Sequence, residues 1–545
     1  MPTLMSRHRV RARPPRATSA QPARRVTYGS ELTAYLEDAA HFPGGHSSLV
    51  VCPRDEQQLA AVLRDAATVL PVGAQSSLTG GATPMGDTVI SLSGLSSIAP
   101  PEFDCVTAEP GVTLTALREA LTEAGRSYPP VPTYEGATVG GVVSTNAAGA
   151  ATFKYGTTRR WVRALTVMLA TGEVLDLERG QVRAEDHQFE IDTSDGTIRV
   201  PVPTYRVPEV PKRAAGYPAG PDLDLVDLFV GAEGTLGIVT SVTLEVLPRC
   251  PEVGFVLVAC RDESQAVALA SDLRQASMRT WRDEDPSGLD VIAIEHMDRR
   301  CLALLREDGS ARRLGVTIPN DAGTLLLAQI EFPPGTTTER VYDEVANATT
   351  ETDVSGGGPR LDSPVGGLCR IIRDADRLDA TEIVAPGDHA RAAALLALRE
   401  AVPEAVNRRV GIAKRTVDDT IEKTAADMIV PFCHLGESLT LFRGAFESRG
   451  LDYAIWGHLS DANLHPNVIP RSADDVRRGK EAILECGRRV IELGGCPLAE
   501  HGVGRNVVKQ ALLRQLYGDR GIAEMHAVKR ALDPSGKLAP GVLLP

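Results

Sequence analysis

The sequence lacks features that would place it in several common protein classes. Its nine cysteines include no C-x-x-C pair, which excludes the spacing of ferredoxin-like iron–sulfur clusters and gives no disulfide framework. We therefore expect free thiols in a reducing cytoplasm. No apolar run approaches the roughly 18–20 residues that a bilayer span requires. A net charge of −13 disfavours nucleic acid as the main partner.

The first 25 residues have no acidic side chain and contain seven arginines. They also lack the apolar core of a secretory signal. An arginine-rich, acid-free stretch is typical of a transit peptide, but Pro14, Pro15 and Pro22 interrupt the amphipathic helix that such a peptide forms. We expect residues 1–26 to form a disordered basic tail.

Alternating strand and helix patterns run from about residue 48 to the C-terminus, and 545 residues are enough for more than one domain. The sequence pattern changes after Pro248, where a second α/β region begins. Before it, the pattern predicts strands over 48–52, 69–72 and 88–92, helices from Pro53 and Thr113, a hairpin at Thr171–Gly172 and an irregular insertion over 181–222. After it, the pattern predicts helices near 264–276, 389–401 and 473–493 and a loop over 350–365.

Three segments rich in glycine and small residues lie at 73–81, 136–149 and 231–238. Glycines let backbone N–H groups approach an anion closely, and neighbouring hydroxyls add donors. The first segment alone would be an ordinary tight turn, since it has neither the Walker lysine nor the G-x-G-x-x-G pattern. Three such segments within one region fit a long ligand with a pyrophosphate in its middle.

Histidine is scarce, 11 in 545, yet three of the eleven lie in two short segments near the C-terminus. His458 and His465 belong to G-H-L-S-D-A-N-L-H-P-N, and His501 follows Glu500 in E-H-G. Two histidines and a carboxylate suit a divalent ion with an open position better than a closed structural site. Any one of these histidines, taken alone, is more simply read as a hydrogen-bonded core or loop residue.

The three glycine-rich segments resemble the FAD-binding domain of the vanillyl-alcohol-oxidase (PCMH-type) flavoproteins. The match over 231–238, G-A-E-G-T-L-G-I, is nearly complete, whereas Val72 and Gln75 stand where arginine and glycine are common. The resemblance implies an α+β fold with a two-part FAD-binding PCMH-type domain over 40–250 and an α/β cap (FAD-linked oxidase C-terminal) domain over 251–455. A C-terminal segment over 456–545 would then return to the flavin.

The same resemblance implies that FAD is bound non-covalently, because Ser76 stands where some members have a tethering histidine. The residues that it places against FAD are Gly73, Ala74, Gln75, Ser76, Ser77, Thr79, Gly80, Gly136, Ala137, Thr138, Gly141, Asn146, Glu233, Gly237 and Ile238.

The C-terminal half resembles the branch that contains D-lactate dehydrogenase, glycolate oxidase subunit and D-2-hydroxyglutarate dehydrogenase. This implies zinc or manganese bound by His458, His465 and Glu500, with His501 as the catalytic base. Three further residues match positions that contact substrate: Arg399, Lys414 and Asn467. An arginine suits a bidentate carboxylate clamp, although a solvated helix charge is the alternative for Arg399 and Lys414. Ser460 and Ala462 replace common glycines, which predicts a stiffer loop, and the role of Lys212 is open.

The function that this implies is an FAD-dependent dehydrogenase. It would oxidise a D-2-hydroxy acid of the D-lactate, glycolate or D-2-hydroxyglutarate type to the 2-oxo acid, by hydride transfer to flavin N5. The alternatives are an alkylglycerone-phosphate-synthase-like transferase and a non-catalytic flavin-binding subunit. Electrons would pass to a quinone, a cytochrome, an electron-transfer flavoprotein or oxygen. We expect a cytoplasmic protein, and leave open both peripheral membrane attachment and a homodimer.

Overall fold

The computed structural model describes residues 8–249, 251–350 and 363–545. The chain divides into two compact units, and each is built from separate stretches of sequence. The first unit contains the chain up to Gly149, then Gly156–Cys250 and Cys496–Pro545; the second contains Ala150–Tyr155 and Pro251–Gly495. The predicted boundary at residue 251 agrees with this division. The predicted boundary at 456 is wrong, because the chain leaves the second unit only after Gly495.

The first unit combines three small sheets with helices. The strands, in the order of each sheet, are Arg9–Arg11, Gln188–Thr193 and Gly196–Pro201; Cys105–Ala108, Ile238–Glu245, Val162–Met168 and Val174–Glu178; and Arg24–Val26, Val50–Cys52, Thr88–Ser91 and Val69–Val72. The helices are Gly29–Thr33, Glu56–Asp65, Leu114–Glu123, Val139–Thr145, Thr158–Trp161, Leu225–Phe229 and Val507–Leu532, the last with a kink at Gly518, and a 3₁₀ turn spans Leu92–Gly94.

A parallel strand arrangement positions the first glycine-rich loop. Val50–Cys52 and Val69–Val72 both pair in parallel with Thr88–Ser91, and parallel strands need a crossover connection. The helix Glu56–Asp65 supplies it, starts where Asp55 accepts a hydrogen bond from the Gln58 N–H, and buries its apolar face. These elements confirm the predicted ones, and loop 73–81 lies at the carboxyl end of a parallel strand, where open α/β sheets bind ligands.

The basic N-terminal stretch is ordered from residue 8 onward, so the predicted disordered tail is wrong there; residues 1–7 lie outside the described part. Arg9–Arg11 pairs in parallel with Gln188–Thr193, and Arg24–Val26 pairs with Val50–Cys52. Distant acids neutralise the arginines: Arg9 binds Asp192 at 2.7 Å, and Arg13 binds Glu56 at 2.7 Å. The segment 181–222, predicted to be irregular, contains the hairpin that receives the first of these strands.

The second unit is built on one eight-stranded sheet in which every recorded pairing among the described residues is antiparallel. Its strands, in sheet order, are Thr381–Val384, Glu252–Cys260, Thr324–Phe332, Val291–Met297, Tyr453–His458, Asn463–Val468 and Thr424–Ala425, with Met428–Ile429 also paired to Asn463–Val468. The helices are Thr152–Tyr155, Glu263–Asp283, Arg299–Glu307, Ser310–Arg313, Thr338–Thr350, Pro364–Asp374, His389–Thr416, Leu435–Glu447 and Ala473–Glu492, and 3₁₀ turns span Leu378–Ala380, Phe432–His434 and Leu459–Asp461.

The predicted boundary at 456 fails because the first histidine motif forms a hairpin of this sheet. Tyr453–His458 pairs with Asn463–Val468 on one side and with Val291–Met297 on the other. Cutting the chain at 456 would divide a hydrogen-bonded strand. The predicted helix at 389–401 is also longer than expected, since it continues through Pro403 to Thr416.

Residues 150–155 belong to the second unit although their neighbours in sequence belong to the first. The Lys154 ammonium lies 2.6 Å from Asp290 and 2.5 Å from Glu331, and the Tyr155 hydroxyl donates to the other oxygen of Glu331. These partly buried charge-assisted contacts fix the segment on the second unit.

Four further sequence predictions can be compared with the structure. The long helix at 473–493 is confirmed as Ala473–Glu492. The predicted loop at 350–365 lies largely at 351–362, outside the described residues. The eight cysteines that the structure describes are free thiols, as predicted. Among the described helices, none has both the length and the apolar character needed to span a bilayer.

Candidate functional site

The first glycine-rich loop, 73–81, is closed by its own side chains. Gln75 has a left-handed backbone, with φ of 53°, which explains why glycine is common at this position. Its side-chain amide donates to the Tyr35 carbonyl at 2.9 Å. The Ser77 hydroxyl accepts from the backbone N–H groups of Thr79 and Gly81, at 3.2 Å each. Gln75 and Ser77, predicted to contact FAD, therefore use these side-chain atoms to shape the loop.

The outer part of this loop offers unused backbone donors. Within the described residues, the N–H groups of Ala74, Ser76 and Leu78 donate to no other protein group. Unpaired backbone N–H groups in a glycine-rich turn can donate to an anion. The loop therefore has the donor chemistry that a pyrophosphate requires.

The second glycine-rich segment, 136–149, packs directly against the first. Thr138 caps the short helix Val139–Thr145 by accepting from the Gly141 N–H. A Cβ atom on Gly73 would collide with the Thr138 hydroxyl, so only glycine fits there. Asn146 ends the helix with φ of 49°, and its amide bonds to the Arg213 carbonyl and the Arg159 N–H. The Asn146 side chain thus ties the helix end to Arg159 and Arg213, and its predicted contact with FAD stays a prediction.

The third segment, 231–238, holds the E-H-G-x-G turn. The Glu233 carboxylate accepts hydrogen bonds from the N–H groups of Val503 and Gly504, at 2.8 Å each. Burial raises the pKa of Glu233, and the two amide hydrogen bonds oppose that shift. Gly502 has φ of +75°, and a Cβ there would press on the Glu233 carboxylate. The Glu233 carboxylate therefore binds this turn, and its predicted contact with FAD stays a prediction.

The first glycine-rich loop, 73–81, also contacts the E-H-G-x-G turn. The Arg505 N–H donates to the Thr79 carbonyl at 3.0 Å. A Cβ on Gly504 would collide with that carbonyl, and Gly504 has φ of +57°. The two glycines of E-H-G-x-G are therefore required by close packing against two glycine-rich loops.

Glu500 and His501 precede this turn in the first unit. The buried ammonium of Lys212 lies 3.1 Å from Oε2 of Glu500, with the Lys212 side chain 0% exposed. Nε2 of His501 lies 3.7 Å from Oε1 of Glu500, and the His501 side chain is 29% exposed. Lys212, whose role was open, is thus the ion-pair partner of Glu500.

His458 and His465 stand on adjacent strands of the second unit, with ring centroids 5.4 Å apart and rings nearly perpendicular. Each faces a buried carboxylate. Nδ1 of His458 lies 2.6 Å from Oε1 of Glu295, and Nδ1 of His465 lies 3.5 Å from Oδ1 of Asp427. Paired in this way, the two imidazoles suit a metal ligand set, in which the second ring nitrogen of each histidine binds the ion.

Arg399 joins the same group. Its Nε donates to Oε2 of Glu295 and its Nη1 to Oε1 of Glu400, both at 2.9 Å, while Nη2 has no partner among the described residues. Burial by itself would raise the pKa of Glu295, but the charge of Arg399 and the hydrogen bonds from His458 and Arg399 lower it to about 2. Glu295 is therefore ionised in the folded protein at neutral pH.

The structure does not bring Lys414 to this group. Lys414 is exposed near the end of the helix His389–Thr416 that also carries Arg399. At about 1.5 Å per residue, the two lie roughly 22 Å apart along the helix axis. The structure therefore keeps Lys414 apart from Arg399 on this helix, and the predicted contact of Lys414 with substrate stays a prediction.

Asn467 supplies a buried oxygen beside the histidines. The residue is 2% exposed, and its Nδ2 donates to the His465 carbonyl at 2.9 Å. Its Oδ1 has no hydrogen-bond partner in the part of the chain that the structure describes. A buried acceptor without a partner is costly, which fits a ligand at this position. Ala462, which stands where glycine is common, has φ of 61°, a conformation that favours glycine, and the stiffer loop stays a prediction.

Sequence reasoning missed Glu295 and Asp427. Glu295 did leave a signal, because it is an acid inside the apolar run V-I-A-I-E-H-M. A charge in a buried strand costs free energy unless it is paired. Asp427 precedes a two-residue strand and leaves no such signal.

Replacing Glu233 with glutamine tests the role of its carboxylate. We expect a loss of about 1–3 kcal/mol in the free energy of unfolding, because one buried N–H loses its acceptor, with FAD content unchanged. Denaturant unfolding and the flavin absorbance of the purified protein measure both quantities. Glu123→Gln, at an exposed helix position, is the matched control. Loss of FAD without loss of stability would support the predicted cofactor contact.

Two family models match the chain. Residues 47–178 match the FAD binding domain, and residues 259–543 match the C-terminal domain of FAD linked oxidases. The second match covers just over half of the chain. Together they support FAD binding.

Curated relatives match over nearly the whole chain. The glycolate oxidase subunit GlcD of Bacillus subtilis is 26% identical, over 90% of this chain and 88% of its own length. The D-lactate dehydrogenase of Anaerostipes hadrus is 26% identical, over 95% and 94%. A D-2-hydroxyglutarate dehydrogenase of Xanthomonas citri pv. viticola is 27% identical, over 97% of both chains.

A solved structure titled alkyldihydroxyacetonephosphate synthase is similar in fold, with a TM-score of 0.54 at 15% sequence identity. The similarity covers 91% of this chain and 76% of that one, and it supports the predicted α+β architecture. The chain therefore belongs to the FAD linked oxidases, as a flavoprotein oxidoreductase with an FAD-binding domain and the C-terminal domain of that family.

Proposed function

We propose that the protein is an FAD-dependent dehydrogenase that oxidises a D-2-hydroxy acid to the corresponding 2-oxo acid. The observation that carries this proposal is the buried group around Glu295, in which one carboxylate joins His458 to Arg399. It brings a histidine, which can bind a metal ion, next to an arginine, which can bind a carboxylate. A 2-hydroxy acid presents a hydroxyl and a carboxylate on adjacent carbons, and the three relatives described above are named for such acids.

The proposed roles divide between substrate binding and proton transfer. His458 and His465 hold a divalent ion, zinc or manganese. Glu500 is the third ligand, an assignment that rests on the E-H-G sequence motif alone. Nη2 of Arg399 binds the substrate carboxylate, and Asn467, whose buried Oδ1 has no hydrogen-bond partner among the described residues, helps to orient the substrate. When bound, the flavin supplies N5 as hydride acceptor, and the ion supplies the charge that lowers the pKa of the hydroxyl.

His501 is the proposed base. A neutral imidazole can take a proton near neutral pH, since its ordinary pKa is close to 6.5. The turn that follows it is held by Glu233 and Thr79, so its backbone is fixed before substrate arrives. Lys212 keeps Glu500 in place beside it. The N–H groups of Ala74, Ser76 and Leu78 would bind the pyrophosphate of FAD.

An alkyl-transfer reaction is the alternative from the same framework. The fold similarity to alkyldihydroxyacetonephosphate synthase, at 15% identity, is a likeness of architecture. Relatives named glycolate oxidase subunit, D-lactate dehydrogenase and D-2-hydroxyglutarate dehydrogenase, at 26–27% identity over nearly full length, favour hydroxy-acid oxidation. A transfer enzyme would leave its flavin oxidised when it is mixed with a 2-hydroxy acid.

Anaerobic mixing with a panel of acids tests the proposal. The panel contains glycolate and both enantiomers of lactate and 2-hydroxyglutarate, and the metal content of the same protein sample is measured. We expect loss of the oxidised flavin absorbance with the D enantiomer of at least one acid, and turnover once a dye acceptor is added. An absence of flavin reduction with every acid would contradict the proposed function.

A further inference from the structure

Glu295 connects two groups that the proposed function assigns to different tasks. It lies in the strand Val291–Met297, which pairs with Tyr453–His458, and its Cα is opposite that of His458. One carboxylate oxygen accepts from Nδ1 of His458 at 2.6 Å, and the other accepts from Nε of Arg399 at 2.9 Å. The residue is 4% exposed. Both oxygens of Glu295 therefore accept from protein donors.

The geometry selects one form of the His458 ring. A carboxylate that accepts from Nδ1 fixes the proton on that nitrogen and leaves the lone pair on Nε2 for a ligand. On the opposite side of Glu295, the planar guanidinium of Arg399 is fixed through Nε, and Glu400 holds Nη1. Arg399 then presents Nη2 as its remaining donor group. A shift of Glu295 would therefore alter the histidine and the arginine together.

We propose that Glu295 is a positioning residue that couples metal binding to recognition of the substrate carboxylate. This inference rests on the proposed function, because it assumes an ion at His458 and a carboxylate at Arg399. Glu295 orients both residues and contacts neither the ion nor the substrate. Asp427 stands beside His465 in a similar way, but at 3.5 Å, and its Oδ1 accepts the Asn463 amide.

A Glu295→Gln variant in its FAD-bound form tests the coupling role of Glu295. Zinc affinity, measured without substrate by competition with a chromogenic chelator, should fall about 10–100-fold, as for other residues that orient a metal ligand. The KM for the hydroxy acid that reduces the wild-type flavin should rise by about tenfold or more, because a glutamine amide holds the guanidinium less firmly than a carboxylate does. FAD content should stay at the wild-type level.

A buried arginine without its carboxylate can prevent folding, so a second variant is needed. The double variant Glu295→Leu/Arg399→Leu replaces the pair with apolar side chains of similar size, an exchange that buried ion pairs often tolerate. It should retain FAD and still show the 10–100-fold loss of zinc affinity. The control is Asp452→Asn, which removes an ion pair to Arg300 at 2.9 Å at the far end of the strand that carries His458. It should bind zinc like the wild type.

The outcomes separate this inference from the proposed function. If the wild type binds no zinc and no acid reduces its flavin, the proposed function fails. If the wild type does both, but the Glu295 variants keep zinc affinity and KM, only the coupling role of Glu295 is wrong. A rise in KM with unchanged zinc affinity would equally overturn the coupling, because it would limit Glu295 to a role at Arg399.

Discussion

A His501→Ala variant should retain its FAD and reduce it about 10²–10⁴-fold more slowly, the usual contribution of a positioned acid or base. The residue lies before a turn whose backbone is held by Glu233 and by the carbonyl of Thr79. Removing the imidazole leaves that turn intact, because none of these hydrogen bonds uses it. Stopped-flow mixing under anaerobic conditions, with the acid that reduces the wild-type flavin, measures the rate.

The matched control is His434→Ala, since His434 is an exposed histidine that contacts Glu437 at the start of a helix. It should reduce flavin at the wild-type rate. Added imidazole should restore part of the lost rate in His501→Ala, because it can enter the space that the side chain leaves. If His501→Ala is as fast as the control, the assignment of the base is wrong. If neither variant nor the wild type reduces flavin, a non-catalytic flavin-binding subunit becomes the better description.

Local sequence signals predicted the helices and strands of the fold well. Contacts between residues far apart in sequence could not be predicted. Asp55 and Thr113 cap helices where their positions predict it, because an N-cap depends only on its immediate neighbours. The ordered N-terminal arginines depend on acids such as Asp192, which lies 183 residues after Arg9. Composition alone therefore predicted disorder where the fold supplies a strand.

In the candidate site, too, the residue types could be predicted from the sequence but their distant partners could not. The glycines and histidines are recognisable by residue type, since few residues tolerate a left-handed turn or bind a metal. The residues that hold them are not: Glu295 is 163 positions from His458, and Glu233 is 270 from Val503. The separation of Lys414 from Arg399 was likewise not visible in the sequence, because it follows from the continuation of one helix through Pro403 to Thr416.

Removing the divalent ion with a chelator is expected to slow flavin reduction about 10²–10⁴-fold, since Lewis-acid activation supplies several kcal/mol and each 1.4 kcal/mol is tenfold in rate. Without the ion, His501 would have to take a proton from a hydroxyl of ordinary pKa. FAD should remain bound, because the glycine-rich loops form their turns without His458 or His465. The rate should return when zinc or manganese is added back, and the more effective ion identifies the native one.

His465→Ala provides the decisive comparison for the metal. The variant should be as slow as the chelated wild type, and chelator should slow it no further, because both changes remove the same ion. Binding to the folded state alone also stabilises it, by about 2.7 kcal/mol at a hundredfold excess over the dissociation constant. Zinc should therefore raise the melting temperature of the wild type and leave that of His465→Ala unchanged. If the chelated wild type keeps its rate, the two histidines would serve as hydrogen-bonding groups for substrate, with His458 still held by Glu295.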